Sequence, residues 1–282
     1  MMQSIVSFSD FLASPPGRYV LTWEREHLGR AVTDIFGYHA VQLGIPEIDT
    51  LSENRMPLRL CVSDRLVDPR ALPASGPGPA DARKVAVITR YEELPFAAQS
   101  IDLIVMPHIL EFAQEPHQVL REVDRVLVPE GHLIITGFNP ASLWGLRQAL
   151  ARTGARPYLP RDGQFISLPR IKDWLKLLSF EANRGRFGCY APWAGSERWL
   201  ARWSFMESAG DRWWPVFGSV YLLSAVKRVR GMRLIGPAWK RKEERRASLA
   251  PAPTHRTSDA FTVRIVQPGE AANDTARDAA HG

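Results

Sequence analysis

The residues of this chain whose types could do chemistry cluster between Leu94 and Asn139. His108 stands in the run Met106-Pro107-His108-Ile109-Leu110-Glu111, directly after an apolar stretch. An imidazole there could act as a base near neutral pH. The alternative is a packed, hydrogen-bonded loop histidine. Glu111 reads as a helix-face or loop carboxylate. Asn139, followed by Pro140, either caps a following helix or orients a substrate. His132 sits beside Gly131 at the opposite, solvent-facing edge. The seven histidines and the two cysteines, Cys61 and Cys189, show no metal-ligand or redox spacing. No nucleophile-base-acid triad is visible, and one glycine at Gly44 does not make a dinucleotide fingerprint.

These residues need elements to position them. Ile101–Met106 and Leu133–Thr136 are short apolar runs that suit buried strands. Between them, Val119, Leu120, Val123, Val126 and Leu127 recur at helical spacing, with Arg121, Glu122, Asp124 and Arg125 opposite. Pro116 suits the first turn, and Pro129, Glu130 and Gly131 stop the helix. Strand, helix and strand form a right-handed parallel crossover. Around it the pattern predicts helices over Thr22–Phe36, Ala141–Ala151 and Leu168–Phe180, and a helix starting within Ile45–Glu53. Further strands are predicted at His39–Gly44, Leu58–Val62, Lys84–Thr89, Glu181–Tyr190 and Val220–Val226. Residues 1–18 read as a loose, Pro-containing lead, and 71–82 and 153–163 as loops. This alternation implies an α/β sheet with helices on both faces. Ligands in such sheets bind outside the carboxyl ends of the strands.

The chain's 282 residues, 45% of them hydrophobic, suffice for one sizeable core. No apolar run is long enough to span a bilayer, and the N-terminus lacks the features of a signal peptide. A cytoplasmic, disulfide-free protein is the expectation. The net charge of +6 suggests nucleic acid until it is mapped. Residues 1–226 carry 24 Lys or Arg and 24 Asp or Glu, so the excess lies entirely beyond them. The expected divisions are an N-terminal lead and helix over 1–36, a main domain over 37–235, and a basic tail over 236–282 without core-forming composition. Within the main domain, 191–217 holds five of the nine tryptophans. That stretch reads as a helix pair packed on the sheet or as a lid over an apolar substrate.

Three segments carry a family resemblance. They are Glu93-Leu94-Pro95-Phe96, Ser100-Ile101-Asp102-Leu103-Ile104-Val105, and Leu120-Arg121-Glu122-Val123 with Arg125-Val126-Leu127 before Pro129-Glu130-Gly131. Together they resemble the class I S-adenosylmethionine-dependent methyltransferases of the type-11 domain group, in particular a poorly characterised bacterial subgroup. About 45 residues match closely and about 200 loosely, including the terminal VYLLSAVKR. The resemblance implies a Rossmann-like seven-stranded, mostly parallel sheet with helices on both faces and an antiparallel last strand. It also implies S-adenosyl-L-methionine as cofactor, lying across the carboxyl ends of strands one to four. The corresponding positions are Gln42, Leu43 and Gly44 after strand one, Asp64 for the ribose hydroxyls, Glu92 near the adenine, and Met106 and Pro107 after strand four. Only Gly44 remains of the usual Gly-rich loop, Pro46 follows it, and Arg90 stands where an acidic residue is usual.

His108 and Asn139 are then the candidates for catalysis, on a small-molecule acceptor. Methyl transfer from a sulfonium needs alignment more than a base. Two alternatives stand beside this reading. One is a methyltransferase-like scaffold that has lost cofactor binding and acts through a partner. The other is an RNA-associated methyltransferase using the basic tail, although the folded body offers no field for nucleic acid. The oligomeric state is not given by the sequence.

Overall fold

The computed structural model describes residues 8–65, 85–151, 163–193 and 195–228. The predicted loop at 71–82, all of the one at 153–163 but Gly163, and the basic tail at 236–282 lie outside the described residues. The described segments fall within one compact unit, Met1–Gly231.

Seven strands form one sheet: β1 (His39–Leu43), β2 (Leu58–Ser63), β3 (Val85–Ile88), β4 (Ile101–Pro107), β5 (Leu127–Phe138), β6 (Phe180–Gly188) and β7 (Val220–Lys227). Their order is β3-β2-β1-β4-β5-β7-β6. β7 pairs antiparallel with both β5 and β6, and the pairings among the first five strands are all parallel. The order reverses between β1 and β4, so the switch point lies where those two strands part. β5 begins earlier than its apolar run because Leu127 pairs with Ile101.

The period-2 alternation of the strands sorts the core into two layers. On one face Ile104, Met106, Leu133 and Ile135 pack against α4 (Pro116–Val126) and α6 (Leu168–Leu177) through Val119, Leu120, Val123, Ile171 and Leu175. On the other, Ala40, Leu103, Val105 and Ile134 meet α1 (Phe8–Ala13) and α2 (Pro15–Thr33) through Phe11, Val20, Leu28 and Val32. The crossover read from the sequence is thus the centre of the sheet.

Two expectations are corrected here. The supposed loose lead is helical from Phe8, and α2 starts at Pro15 rather than Thr22. Ser14 caps it, its Oγ accepting from the Gly17 amide at 3.3 Å, and two prolines occupy the first turn, where their missing N–H groups cost nothing. Nor does Ile45–Glu53 form a helix; it is a series of turns. Buried side chains take over its backbone. Asn54 Nδ2 donates to the carbonyls of Val32 and Ile35 at 2.8 and 3.0 Å, closing the end of α2. Gln42 organises the remainder, and such local side-chain bonds compete with a helix.

Between β4 and α4 lies the single turn α3 (Ile109–Phe112), and α5 (Leu143–Ala151) follows β5. The Trp-rich stretch forms α7 (Glu197–Arg202), α8 (Phe205–Trp213) and a 3-10 turn (Pro215–Phe217) before β7. No helix among the described residues is long and apolar enough to cross a membrane.

The α1–α2 corner is tight. A Cβ on Gly17 would lie 2.0 Å from the Phe11 carbonyl oxygen, a backbone atom with little room to retreat. Gly17→Ala is expected to cost about 1–3 kcal/mol by overpacking, read as a lower urea midpoint with an unchanged slope.

Candidate active site

The carboxyl ends of β1, β2 and β4, with the segment after β3, surround a cavity of about 530 Å³. That volume suits a small-molecule or cofactor site. Gly44, Asp64, Arg90, Tyr91, Glu92 and Pro107 line it together with His108 and Ile109. Phe8 closes it from α1, its ring 4.6 Å from that of Phe112.

The turn after β1 is built around one buried amide. Gln42 Nε2 donates to the carbonyls of Gly44, Ile45 and Ile48 at 3.0, 2.8 and 2.9 Å. Its Oε1 accepts from the Thr50 amide at 3.0 Å and the Thr50 hydroxyl at 2.8 Å. Gly44 (φ 70°) and Ile45 (φ 39°) are left-handed, a conformation that costs little in glycine and more in isoleucine. A Cβ on Gly44 would fall 2.2 Å from Ile109 Cδ1. A side-chain brace thus holds the turn that several glycines usually shape, and the one glycine left stands where the backbone meets the β4 segment most closely.

At the tip of β2 the Asp64 amide donates to the Tyr91 hydroxyl at 3.2 Å, and that hydroxyl donates back to Asp64 Oδ1 at 3.3 Å. Burial and the Asp64 charge push the Tyr91 phenol up, so it stays a donor. Asp64 itself is exposed. Arg90 and Glu92 approach to 3.8 Å, with Glu92 mostly covered and Arg90 open.

Behind the cavity lies a buried charge cluster. His108 is left-handed (φ 53°) and turns β4 into α3. Its Nδ1 lies 2.8 Å from Glu111 Oε2 and its Nε2 lies 3.0 Å from Glu24 Oε1. The first contact is a hydrogen bond; in the second the N–H is out of line with the oxygen, leaving an ion pair. The side chains of His108 and Glu24 are fully shielded, and that of Glu111 nearly so. Thr136 Oγ1 donates to Glu24, and the Phe138 amide donates to Glu111. Burial pulls the imidazolium pKa down, but Glu24 and Glu111 outweigh it and push it up to about 10. Burial pushes the Glu111 carboxyl up, opposed by His108 and the Phe138 amide. The Phe138 ring lies tilted against the imidazole, with centroids 4.2 Å apart.

The structure therefore brings Gly44, Asp64, Glu92, Pro107 and His108 to one cavity. Leu43 and Met106 point into the core, and Gln42 acts from beneath the turn. Asn139 does not line the cavity. Its Nδ2 donates to the carbonyls of Val216 and Gly218 at 2.7 and 3.0 Å, while Ser142 caps α5 by accepting from Gly145. Sequence reasoning missed Glu24, Phe8 and Tyr91. For Glu24 there was a signal: it falls on the Val20–Glu24–Leu28 stripe of α2, where a carboxylate is out of place unless paired. Among the described residues, no cluster of His, Cys, Asp or Glu could hold a metal.

Comparison with known proteins bears on the fold and on part of the chain. The family model described as a methyltransferase domain matches residues 75–135. YafS, an uncharacterized protein of Escherichia coli, is 41% identical over 100 residues, 36% of this chain and 41% of its own. The malonyl-[acyl-carrier protein] O-methyltransferase of a Methylovorus species is 34% identical over 100 residues, 36% of this chain and 33% of its own. The matched stretches thus span less than half of these relatives' lengths. Among solved structures, a Haloferax volcanii complex of the Trm112 methyltransferase activator with a methyltransferase superposes with a TM-score of 0.54 at 13% identity, covering 80% of this chain and 98% of its own.

The cluster makes a stability signature. His108→Ala leaves two carboxylates facing one another in the core and is expected to cost about 3–5 kcal/mol, read by urea unfolding near neutral pH. The folded imidazolium titrates above the unfolded one. Its contribution is complete below the ordinary value of 6.5 and is lost as pH rises towards about 10. Wild-type stability is expected to fall across that window, and His108→Ala to flatten the profile.

Proposed function

We propose that this chain is a class I S-adenosylmethionine-dependent methyltransferase that transfers the methyl group of S-adenosyl-L-methionine to a small-molecule acceptor, a reading supported by the methyltransferase-domain match over residues 75–135. The observation that carries this reading is the cavity at the switch point, with Gly44 on one side and Asp64 at its rim. Gly44 fits the role: its φ of 70° suits glycine, and a Cβ there would strike Ile109, itself part of the cavity lining.

When bound, the cofactor supplies an electrophilic methyl carbon on a positively charged sulfur. Asp64, exposed at the end of β2, accepts hydrogen bonds from ribose hydroxyls, with Tyr91 holding its carboxylate in place. Glu92, half-satisfied by Arg90, accepts from the adenine amino group. Pro107, Ile109 and Phe8 form the apolar wall and exclude water. His108 is a positioning residue: both ring nitrogens are engaged by carboxylates, so it offers no lone pair to an acceptor. An acceptor that arrives already deprotonated suits such a site.

The depleted Gly loop favours one alternative, a scaffold that no longer binds cofactor. Gln42 answers part of that case by holding the turn without the missing glycines. Isothermal titration separates the two. S-adenosylmethionine and S-adenosylhomocysteine are expected to bind, and heat-free titrations up to millimolar cofactor on folded protein would sink the enzyme reading. Asp64→Ala is expected to weaken binding by about 10–100-fold, the value of a hydrogen bond to a charged group. Gln42→Leu is expected to weaken it through loss of the turn, with a lower melting temperature alongside.

A further inference from the structure

The two helices of the Trp-rich stretch carry their apolar side chains outward. Trp199, Phe205, Trp213, Trp214, Val216 and Phe217 are each more than half exposed. Their inner side is held by other means. Leu200 is buried, and Gly210 lies so close to the Tyr190 ring that a Cβ would fall 2.2 Å from it. Glu207 receives the Tyr190 amide at 3.0 Å and the Tyr19 hydroxyl. The Tyr190 hydroxyl donates to the Pro215 carbonyl at 2.9 Å. These contacts fix the helices with the aromatic rings turned to solvent, so the exposure is built rather than incidental.

The charges of the same face are sorted. Glu197 is bound to Arg18 at 2.6 Å and Asp211 faces Arg186 at 3.6 Å, both arginines belonging to the body of the domain. Among the described residues, Arg198 and Arg212 make no ion pair, and Arg202 lies over the Trp199 ring at 5.9 Å. Both pairs lie at the surface and neutralise their acids there, so the net charge of the aromatic face is set by Arg198, Arg202 and Arg212.

We infer that this face, α7, α8 and the turn at Pro215–Phe217, docks on the surface of an anionic lipid bilayer. Tryptophan rings partition to the level of the headgroups, and arginines beside them meet lipid phosphates. A second copy of the chain is a poorer occupant, because a two-fold contact would set the same unpaired arginines against each other. Nucleic acid is poorer also, since three arginines among six large apolar residues cannot supply the dense phosphate contacts on which its affinity rests. The face is tied to the body of the domain through Asn139, whose Nδ2 holds the Val216 and Gly218 carbonyls. The inference goes beyond the proposed methyl transfer and is tested without it.

The test is flotation of the full chain with vesicles of phosphatidylcholine, with and without phosphatidylglycerol. Wild type is expected to float with the anionic vesicles and to stay behind with the neutral ones. In anionic vesicles carrying brominated acyl chains, its tryptophan emission is expected to be quenched, a readout that needs no variant. Trp213→Ala with Trp214→Ala is expected to weaken flotation by about tenfold and to remove most of the quenching. Arg198→Ala, Arg202→Ala and Arg212→Ala together are expected to abolish the preference for anionic lipid. Unchanged circular dichroism and melting temperature show that the variants fold, as their exposure implies. Wild type that neither floats nor quenches overturns the inference. So does a double tryptophan variant that floats like wild type, which would assign binding to the basic tail. A concentration-dependent dimer, or retention of an RNA oligonucleotide, that the tryptophan substitutions abolish would assign the face to another occupant and overturn it as well.

Discussion

The buried trio of Glu24, His108 and Glu111 is the constraint around which the candidate site is arranged. Each charge left water to sit there, a cost of several kcal/mol per ion that only close pairing offsets. That pairing demands that α2, the end of β4 and α3 stand at fixed separations. β5 is tied in as well, since Thr136 and the Phe138 amide supply the remaining hydrogen bonds. Elements far apart in the chain are thereby held in one arrangement by directional contacts, which an apolar core alone does less strictly. The left-handed backbone of His108 sustains this arrangement and aims Pro107 and Ile109 at the cavity.

The opposite wall is set by a different device. A turn shaped by several glycines needs no side chain to hold it, because each glycine tolerates positive φ. Here one glycine remains, Ile45 takes positive φ beside it, and Pro46 follows. Gln42 supplies the restraint by spending its whole hydrogen-bonding capacity on the turn. The two walls thus share a strategy, in which a buried polar side chain dictates the backbone of a loop. Satisfied networks of this kind rigidify a site, and a partly satisfied one would be a liability. Among the described residues, Glu24 Oε2 is the one oxygen of the charge cluster without a hydrogen-bond partner.

The segment between β6 and β7 follows the reverse logic. Its helices have an inner face of small and polar groups and an outer face of aromatic ones. Composition alone would place five tryptophans inside a core. Trp193 does pack against the core, whereas Trp199, Trp213 and Trp214 face outward, because Gly210, Glu207 and the Tyr190–Pro215 bond occupy the inner side of the helices.

Much of the fold was legible in the residues. Uninterrupted apolar runs with an amphipathic helix between them define a parallel crossover, because strands of that kind are buried on both faces. The seven strands, the antiparallel last one and the position of Gly44, Asp64 and Pro107 at one edge follow from that pattern and its resemblance to a known family. What the sequence could not decide was where buried polar side chains would find partners. The sequence suggested a helix starting within Ile45–Glu53, and the local bonds of Gln42 to Thr50, with the longer reach of Asn54 to Val32, overrode it. Likewise, Glu24 and His108 are separated by most of the sheet in sequence and meet only once α2 has packed across it. Hydrophobic pattern is a local property and can be read along the chain; the pairing of buried charges is a property of three-dimensional distance, and only the tertiary structure settled it.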